Sequence, residues 1–215
     1  MAIEDVLRSM ADIRAPSVPD DRLDGWTMVE ETTETLFALP TMRVRGHTLV
    51  YEDGPLREAL RAADDALDMP WRFFFATRLA FRPPLAPGIG TASVLPTVAT
   101  ELRRSFASDL EDRGFRSVER GRKQRMRTDA GDRARLTKYT ARYAVERNGS
   151  DRDDDNHDIA VEGWVAVWTR RSGFRIAGGA YPTQGFAGLC ESAGVDTDDP
   201  NAYREELLGL LRAVE

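Results

Sequence analysis

The sequence has a single cysteine, Cys190, and only two histidines, His47 and His157. One cysteine excludes an internal disulfide and a cysteine-based metal cluster, and we interpret Cys190 as a small buried apolar residue. No G-x-S-x-G motif provides a serine nucleophile, and the glycine-containing segment 88–93 is too short for a dinucleotide-binding fingerprint. The sequence therefore predicts no catalytic residue, no metal site and no cofactor, and it favours a protein that is not an enzyme.

Long apolar runs are absent as well. None of them approaches the roughly 18 residues that a membrane-spanning helix needs. The N-terminal stretch MAIEDVLRSMADI carries acidic residues where a signal peptide would carry basic ones, and no apolar core follows it. We therefore expect a cytoplasmic protein with no membrane partner.

Lysine is nearly absent, because Lys123 and Lys138 are the only two and the other 28 of the 30 basic residues are arginine. Aspartate occurs in clusters such as DDRLD, ADDALD, DRDDDNHD and DTDDP. This combination is typical of proteins from salt-loving archaea, in which molar salt screens clustered carboxylates. A GC-rich genome also favours arginine, and the net charge of -6 is small for a haloarchaeal protein.

The length of 215 residues, 41% of them hydrophobic, fits one domain over residues 1–215 with a sizeable core. Apolar residues recur at helical spacing over residues 2–14, and a proline-containing connector follows. We therefore divide the chain into an N-terminal helix and linker, residues 1–25, and a main body, residues 26–215.

The main body alternates strand-like and helix-like patterns. Strand patterns occupy residues 26–52 and 71–82, and a helix between them begins at the capping residue Asp53 with Pro55 in its first turn. Residues 97–113 predict a second helix, a run of strands follows, and a helix capped by Asp199 ends the chain. Successive strands joined by short turns indicate an antiparallel sheet and the α+β class.

Residues 161–182, VEGWVAVWTRRSGFRIAGGAYP, predict a hairpin. A four-residue loop would place Thr169 opposite Phe174 and Trp164 opposite Gly179, where the indole can cover the bare backbone; a two-residue loop at Ser172 is the alternative. Both faces of the hairpin are mostly apolar, so we expect it to be central and covered on both sides. With the predicted helices as outer layers, the predicted fold is an antiparallel sheet flanked by helices on both faces, an α/β/α sandwich.

The order of elements also suggests a family. Between Trp26 and Pro182 the chain has a strand pair, a helix and strand, a helix ending at Gly114-Phe115, the strand segment AGDRARLTKYTARYAV and a hairpin ending in GGAYP. In this order the chain resembles the PsbP-like fold family, and in composition it resembles an uncharacterised haloarchaeal protein family. The resemblance implies a sheet between helical layers and a non-catalytic binding or assembly domain, with no catalytic residues to transfer.

Arginine is concentrated between Arg113 and Arg142, where eleven basic residues face three acidic ones. Arginine binds phosphates and carboxylates through bidentate contacts. The candidate site for an anion or partner is Arg120, Arg122, Lys123, Arg125 and Arg127. Nucleic acid is a less favoured partner, because no nucleic-acid-binding motif is present and nearby Tyr139 and Tyr143 fall on the apolar face of their strand.

The acidic segment 151–162 places carboxylates at positions 1, 3, 5 and 12 of a calcium-loop pattern, with Glu162 last. Asn156 stands where that pattern needs glycine, and the flanks are strand-like. A solvated hairpin loop is the favoured interpretation, with weak cation binding by residues 151–158 left open.

Three functional hypotheses follow. The first is a non-enzymatic interaction domain that binds a protein or a small anionic partner. The second is a small-molecule-binding protein or enzyme with a pocket between sheet and helices. The third is weak nucleic-acid binding through Arg120–Arg127.

Overall fold

A computed structural model describes residues 13–39, 42–83, 91–145, 157–170 and 173–215. Nearly all of the helix predicted over residues 2–14 lies outside the described residues, as do residues 151–156 of the acidic loop. The strands are β1 Trp26–Leu39, β2 Met42–Asp53, β3 Phe73–Arg82, β4 Arg116–Arg127, β5 Arg133–Val145, β6 His157–Arg170 and β7 Gly173–Pro182. The α-helices are α1 Gly54–Ala63, α2 Thr91–Asp112, α3 Phe186–Ala193 and α4 Pro200–Ala213.

All seven strands form one sheet in the order β1-β2-β3-β7-β6-β5-β4, and every neighbouring pair is antiparallel. Strands β1, β2 and β3 are adjacent and run from one edge of the sheet toward its middle. Strand β4 lies at the opposite edge, and β5, β6 and β7 follow from there toward the middle. Strands β3 and β7 pair at the middle of the sheet. The two edge strands are β1 and β4.

The prediction of an α/β/α sandwich of the PsbP-like type, with helices on both faces of the sheet, is wrong. The fold is β-rich: among the described residues, seven strands of 10 to 14 residues dominate it, and three of the four α-helices have only 8 to 14 residues. No described side chain of β1 or β4 is fully buried, so the helices do not form complete layers over the sheet. Hydrophobic periodicity identifies a helix, but it does not reveal how much of a sheet that helix covers.

Two predicted helix starts are confirmed. The carboxylate of Asp53 accepts a hydrogen bond from the Leu56 backbone N–H at 3.0 Å, at the start of α1. The carboxylate of Asp199 accepts one from the Asn201 N–H at 2.7 Å, at the start of α4. In both helices a proline follows in the first turn, where its missing N–H has no helical partner to lose.

The predicted register of the β6–β7 hairpin is also confirmed. Thr169 lies opposite Phe174, and Trp164 lies opposite Gly179. Both Trp164 and Trp168 have no exposed surface, so they belong to the core rather than to an aromatic binding platform. The hairpin lies in the middle of the sheet, and its two faces contribute to two separate hydrophobic clusters.

The double glycine of β7 allows close packing on both faces of the sheet. A Cβ at Gly178 would lie 2.6 Å from the Phe75 ring, and one at Gly179 would lie 2.7 Å from Leu207 Cδ1. Leu207 of α4, rather than the Trp164 indole, is therefore the side chain nearest to the bare backbone of Gly179. The missing side chains let Phe75 settle on one face and α4 approach the other.

Candidate functional site

The five residues predicted as an anion site all lie on β4, the edge strand, and all five are exposed: Arg120, Arg122, Lys123, Arg125 and Arg127. The strand itself follows from pairing with β5 rather than from an apolar alternation, because β4 carries charged residues on both faces. The strand therefore brings these side chains to the rim of the sheet, where a partner can reach them.

The register of β4 and β5 divides the predicted residues between two faces. Arg125 lies opposite Arg135, and Arg127 lies opposite Arg133. Met126, which lies between them, packs against the core cluster that contains Trp164. The side chains of Arg125 and Arg127 therefore lie on the opposite face of the sheet from this cluster. Because side chains alternate along a strand, one face carries Lys123, Arg125 and Arg127 together with Arg133 and Arg135. We call these five residues the basic face.

The remaining two predicted residues, Arg120 and Arg122, are not among these five. Arg122 lies on the Met126 side of β4, and with the Gln124 amide oxygen turned toward it, Arg122 donates through Nε at 2.6 Å. Arg120 lies opposite Tyr139, on the same side of the sheet as the basic face, but an irregularity in the strand register separates it from Lys123. The basic face is completed by Arg133 and Arg135, which the sequence analysis did not select. The turn between β4 and β5 brings these two residues opposite Arg127 and Arg125.

The basic face holds charges of one sign at close range. Two arginine pairs lie directly opposite one another across the strands, an arrangement that destabilises a sheet. In the described part of the chain no carboxylate forms an ion pair with any of the five residues. Arg127 donates to the Gly131 carbonyl oxygen at 3.1 Å. By contrast, Lys138 is ion-paired with Glu162.

Aromatic side chains do not join the basic face. Tyr139 on β5 is 1% exposed and packs against Phe106, with 4.9 Å between ring centroids. Binding of single-stranded nucleic acid relies on exposed rings on which bases stack. The arrangement suits carboxylates or small anions better than it suits bases.

A pocket of about 190 Å³ lies between α2 and strands β1, β2 and β3. Its apolar part includes Phe73, Phe75 and Phe106, and Phe75 rests on the bare backbone of Gly178. A row of threonines crosses the sheet beside these rings, in which Thr48 and Thr77 share a hydrogen bond of 2.9 Å between their hydroxyls. The second hypothesis required such a pocket, and a closed interface would have counted against it.

The mouth of this pocket is acidic. Glu30 and Glu34 of β1 and Asp109 of α2 contribute three carboxylates, and Arg113 contributes one cation. The pKa of Asp109 is raised, first by partial burial and then by the nearby charges of Asp112 and Glu34, although Arg113 opposes the change. The pocket therefore combines an apolar surface of phenylalanine rings with an excess of negative charge.

Glu162, one candidate cation ligand of the acidic segment, is occupied by other partners. Glu162, at the twelfth position of the calcium-loop pattern, accepts hydrogen bonds from Tyr181 at 2.6 Å and Trp164 at 3.0 Å and is ion-paired with Lys138. Burial raises the pKa of Glu162, but these three donors together lower it by more, so the net effect is a lowered pKa. Glu162 is thus committed to the sheet, and residues 151–156 lie outside the described residues.

Cys190 lies in α3 with no exposed surface, as the sequence predicts. Burial raises the pKa of its thiol, while a hydrogen bond with Thr197 acts in the opposite direction. A thiol with a raised pKa is a poor nucleophile, because the thiolate is the reactive form. Cys190 is therefore part of the core.

A family model described as a domain of unknown function, DUF6517, matches residues 15–215. The chain belongs to the DUF6517 family. The prediction of a family without an assigned function is thereby confirmed. No curated protein matches the DUF6517 chain. In the described part of the chain, no helix is both long enough and apolar enough to cross a membrane.

Proposed function

We propose that this DUF6517 chain is a non-enzymatic interaction domain, and that its basic face binds an acidic segment of a partner protein. The observation that supports the proposal is two directly opposed pairs of arginines, Arg125 with Arg135 and Arg127 with Arg133, between the edge strand β4 and its neighbour β5. A sheet that only needed to fold would gain from opposite charges at these positions.

An acidic partner would convert this repulsion into attraction. Each guanidinium can bind one carboxylate through two parallel N–H···O bonds, which are stronger than bonds between neutral groups. Lys123 adds a third cation in line with Arg125 and Arg127 on the same strand face. Alternate residues of an extended strand are about 6.6 Å apart. A peptide with carboxylates at alternate positions therefore matches this row.

The main chain of β4 supplies the second part of the interaction. As an edge strand, β4 has N–H and C=O groups that point away from β5 and can pair with an added strand. Main-chain pairing also reduces the dependence on charge, which matters because salt screens exposed ion pairs. The setting that we propose is the cytoplasm of a salt-loving archaeon, which the scarcity of lysine and the aspartate clusters support.

Exchanging three charges on the basic face for neutral side chains will weaken binding of an acidic peptide. We expect Lys123→Gln, Arg125→Gln and Arg135→Gln together to raise the dissociation constant for a ten-residue polyaspartate peptide by about 100-fold, at roughly 1 kcal/mol for each charge-assisted contact. Calorimetric titration at low salt measures this change. The variant will fold at least as stably as the original chain, because repulsion across the strands is relieved.

The matched control carries the same change of net charge elsewhere. Arg22→Gln, Arg61→Gln and Arg104→Gln together remove three exposed arginines outside β4 and β5, and this variant will bind the peptide normally. A peptide methylated at alternate backbone nitrogens will bind more weakly, because it cannot extend the sheet. Equal loss in both charge variants contradicts a local site, and tighter binding of duplex DNA than of peptide contradicts an acidic protein partner.

The pocket between α2 and the sheet favours a second candidate function, the binding of a small organic cation. Its phenylalanine rings offer an apolar surface, and Glu34 and Asp109 stand near each other at the mouth without a matching number of cations. An amine with an apolar body would place its charge between the carboxylates. Small-molecule sites typically combine apolar surface with polar groups that fix the orientation of the ligand.

Phenethylamine is a suitable probe for this pocket, and 2-phenylethanol is its neutral counterpart. We expect the amine to shift the resonances of pocket residues and the alcohol to bind about 10-fold more weakly, because one ion pair contributes roughly 1.4 kcal/mol at a partly buried site. Asp109→Asn will reduce binding of the amine, and Glu111→Gln, an exposed change on the same helix, will not. Equal binding of amine and alcohol contradicts a cation site.

A further inference from the structure

Arg175 is buried in the centre of the sheet and forms no ion pair with a carboxylate among the described residues. It lies on β7, only 6% exposed, opposite Trp168 of β6 on one side and Arg78 of β3 on the other. One terminal nitrogen, Nη1, donates to the Phe174 carbonyl oxygen at 3.2 Å. The Nε atom has no hydrogen-bond partner among the described residues.

The neighbouring indole is in the same situation. Trp168 has no exposed surface, and its Nε1 atom also has no partner in the described part of the chain. Trp168 and Arg175 share one sheet face because they are directly paired. No cation–π contact joins them within the described ranges, so the indole does not compensate the charge of the guanidinium. Two N–H donors on adjacent strands are therefore buried without an acceptor.

The charged residues around Arg175 add to the excess of positive charge. The pKa of Arg175 is lowered to about 10, first by burial and then by repulsion from Arg78 and Arg170, and Asp132 only partly opposes this. Asp132 is itself paired with Arg170, at 3.1 Å between Nη1 and Oδ2. The second partner of Arg170 is the more exposed Glu215, at 3.6 Å. Within the part of the chain that the structure describes, the three arginines thus outnumber the two carboxylates near them.

The buried guanidinium of Arg175, surrounded by other arginines, would be stabilised by a counterion. Burying a charge without pairing it is costly, and buried donors without a partner are rare in folded proteins. A water molecule could accept hydrogen bonds from the two donors, but it would leave the positive charge unbalanced. A small anion would do both, since it accepts hydrogen bonds and carries the opposite charge.

We propose that a small monovalent anion of about chloride size binds beside Arg175 and Trp168, accepting hydrogen bonds from Arg175 Nε and Trp168 Nε1. This site is separate from the basic face. Arg135 of the basic face is paired with Val167, the residue before Trp168, so the two sites lie on opposite faces of the sheet. The anion stabilises the native sheet, whereas the basic face binds a partner.

Thermal unfolding in two sodium salts of equal ionic strength tests this site. In chloride the full-length protein will unfold about 4 °C higher than in gluconate, an anion too large to enter a buried site, as expected for a ligand that binds only the native state. Arg175→Met, which keeps much of the volume and removes the charge, will lose this difference. Arg104→Met, at an exposed helical position, will retain it.

Two results would overturn the proposal. The first is equal stability of the original protein in chloride and gluconate, and the second is a difference that persists in Arg175→Met. If Arg175→Met does not fold, bromide in a crystal of the unaltered protein gives the answer. An anomalous peak within hydrogen-bond distance of Arg175 Nε supports the site, and the lack of a peak there at high bromide contradicts it.

Discussion

Replacing Arg72 with methionine will lower the free energy of unfolding by about 3 kcal/mol, because it removes the cation of a largely buried ion pair with Asp53 and leaves that carboxylate uncompensated. Arg72 lies just before β3, is 6% exposed and forms ion pairs with Asp53 and Glu206. Its guanidinium also lies over the Tyr203 ring at 3.9 Å and the Trp26 ring at 5.2 Å.

The position of Arg72 makes this loss larger than that of a surface pair. Asp53 caps α1 and Glu206 belongs to α4, so the guanidinium joins two helices to the start of β3. Glu206 additionally accepts a hydrogen bond from Trp26 Nε1 at 2.9 Å. Methionine can fill part of the space between the rings, but it leaves the Asp53 carboxylate half-buried without its cation.

Chemical denaturation of Arg72→Met measures the effect, and Arg61→Met is the matched control. Arg61 pairs with Glu58 one turn away on the exposed side of α1, so its loss will change stability by no more than about 0.5 kcal/mol. Arg72→Lys will fall between the two, because lysine keeps the charge but cannot stack and bind both carboxylates. Equal stabilities of the two methionine variants would show that the ion pairs of Arg72 contribute nothing to stability.

Replacing Gly179 with alanine will lower the free energy of unfolding by about 3 kcal/mol, at the upper end of the range for overpacked cores. The new Cβ would come within 3.0 Å of the Phe73 carbonyl oxygen, as well as meeting Leu207. A backbone carbonyl in a sheet cannot move aside as a flexible side chain can. The pairing of β3 with β7, or the position of α4, must therefore change.

Gly188→Ala is the control for this substitution. Gly188 lies within α3, where an added Cβ meets nothing within 4 Å. Because glycine is less favourable than alanine in a helix, this variant will gain about 0.5 to 1 kcal/mol. Denaturation curves for the two variants should thus move in opposite directions, and a shift of Gly179→Ala in the same direction as the control would refute the packing argument.

Local signals in the sequence predicted local features well. The caps at Asp53 and Asp199 depend on one side chain and the helix that follows it, so they could be identified without knowledge of the fold. The register of the β6–β7 hairpin follows from loop length and cross-strand preferences, and it too is correct. These features involve residues that are close together in the chain.

Features that depend on distant packing could not be predicted in the same way. The predicted fold class, an α/β/α sandwich, was wrong because the coverage of a sheet by its helices depends on tertiary packing. The composition of the basic face depends on how β4 pairs with β5, and β4 shows no apolar alternation because it is exposed on both faces. Arg133 and Arg135 could have been found by aligning the two segments across the turn at Gly131, where arginine would then face arginine. Whether Phe75 leaves a pocket above Gly178 cannot be read from one strand alone.

The strand order has a consequence for how the chain folds. Strands β1 to β3 and β4 to β7 each pair with their neighbours in sequence, so both groups form from contacts of short range. The single junction between them, β3 with β7, joins Phe73 to Ala180, roughly 100 residues apart. Closing that long loop concentrates the entropy loss of folding in one step, which makes this junction the natural barrier to reaching the native state. The bare backbone of Gly178 and Gly179 lies on that junction, where the two halves must meet closely.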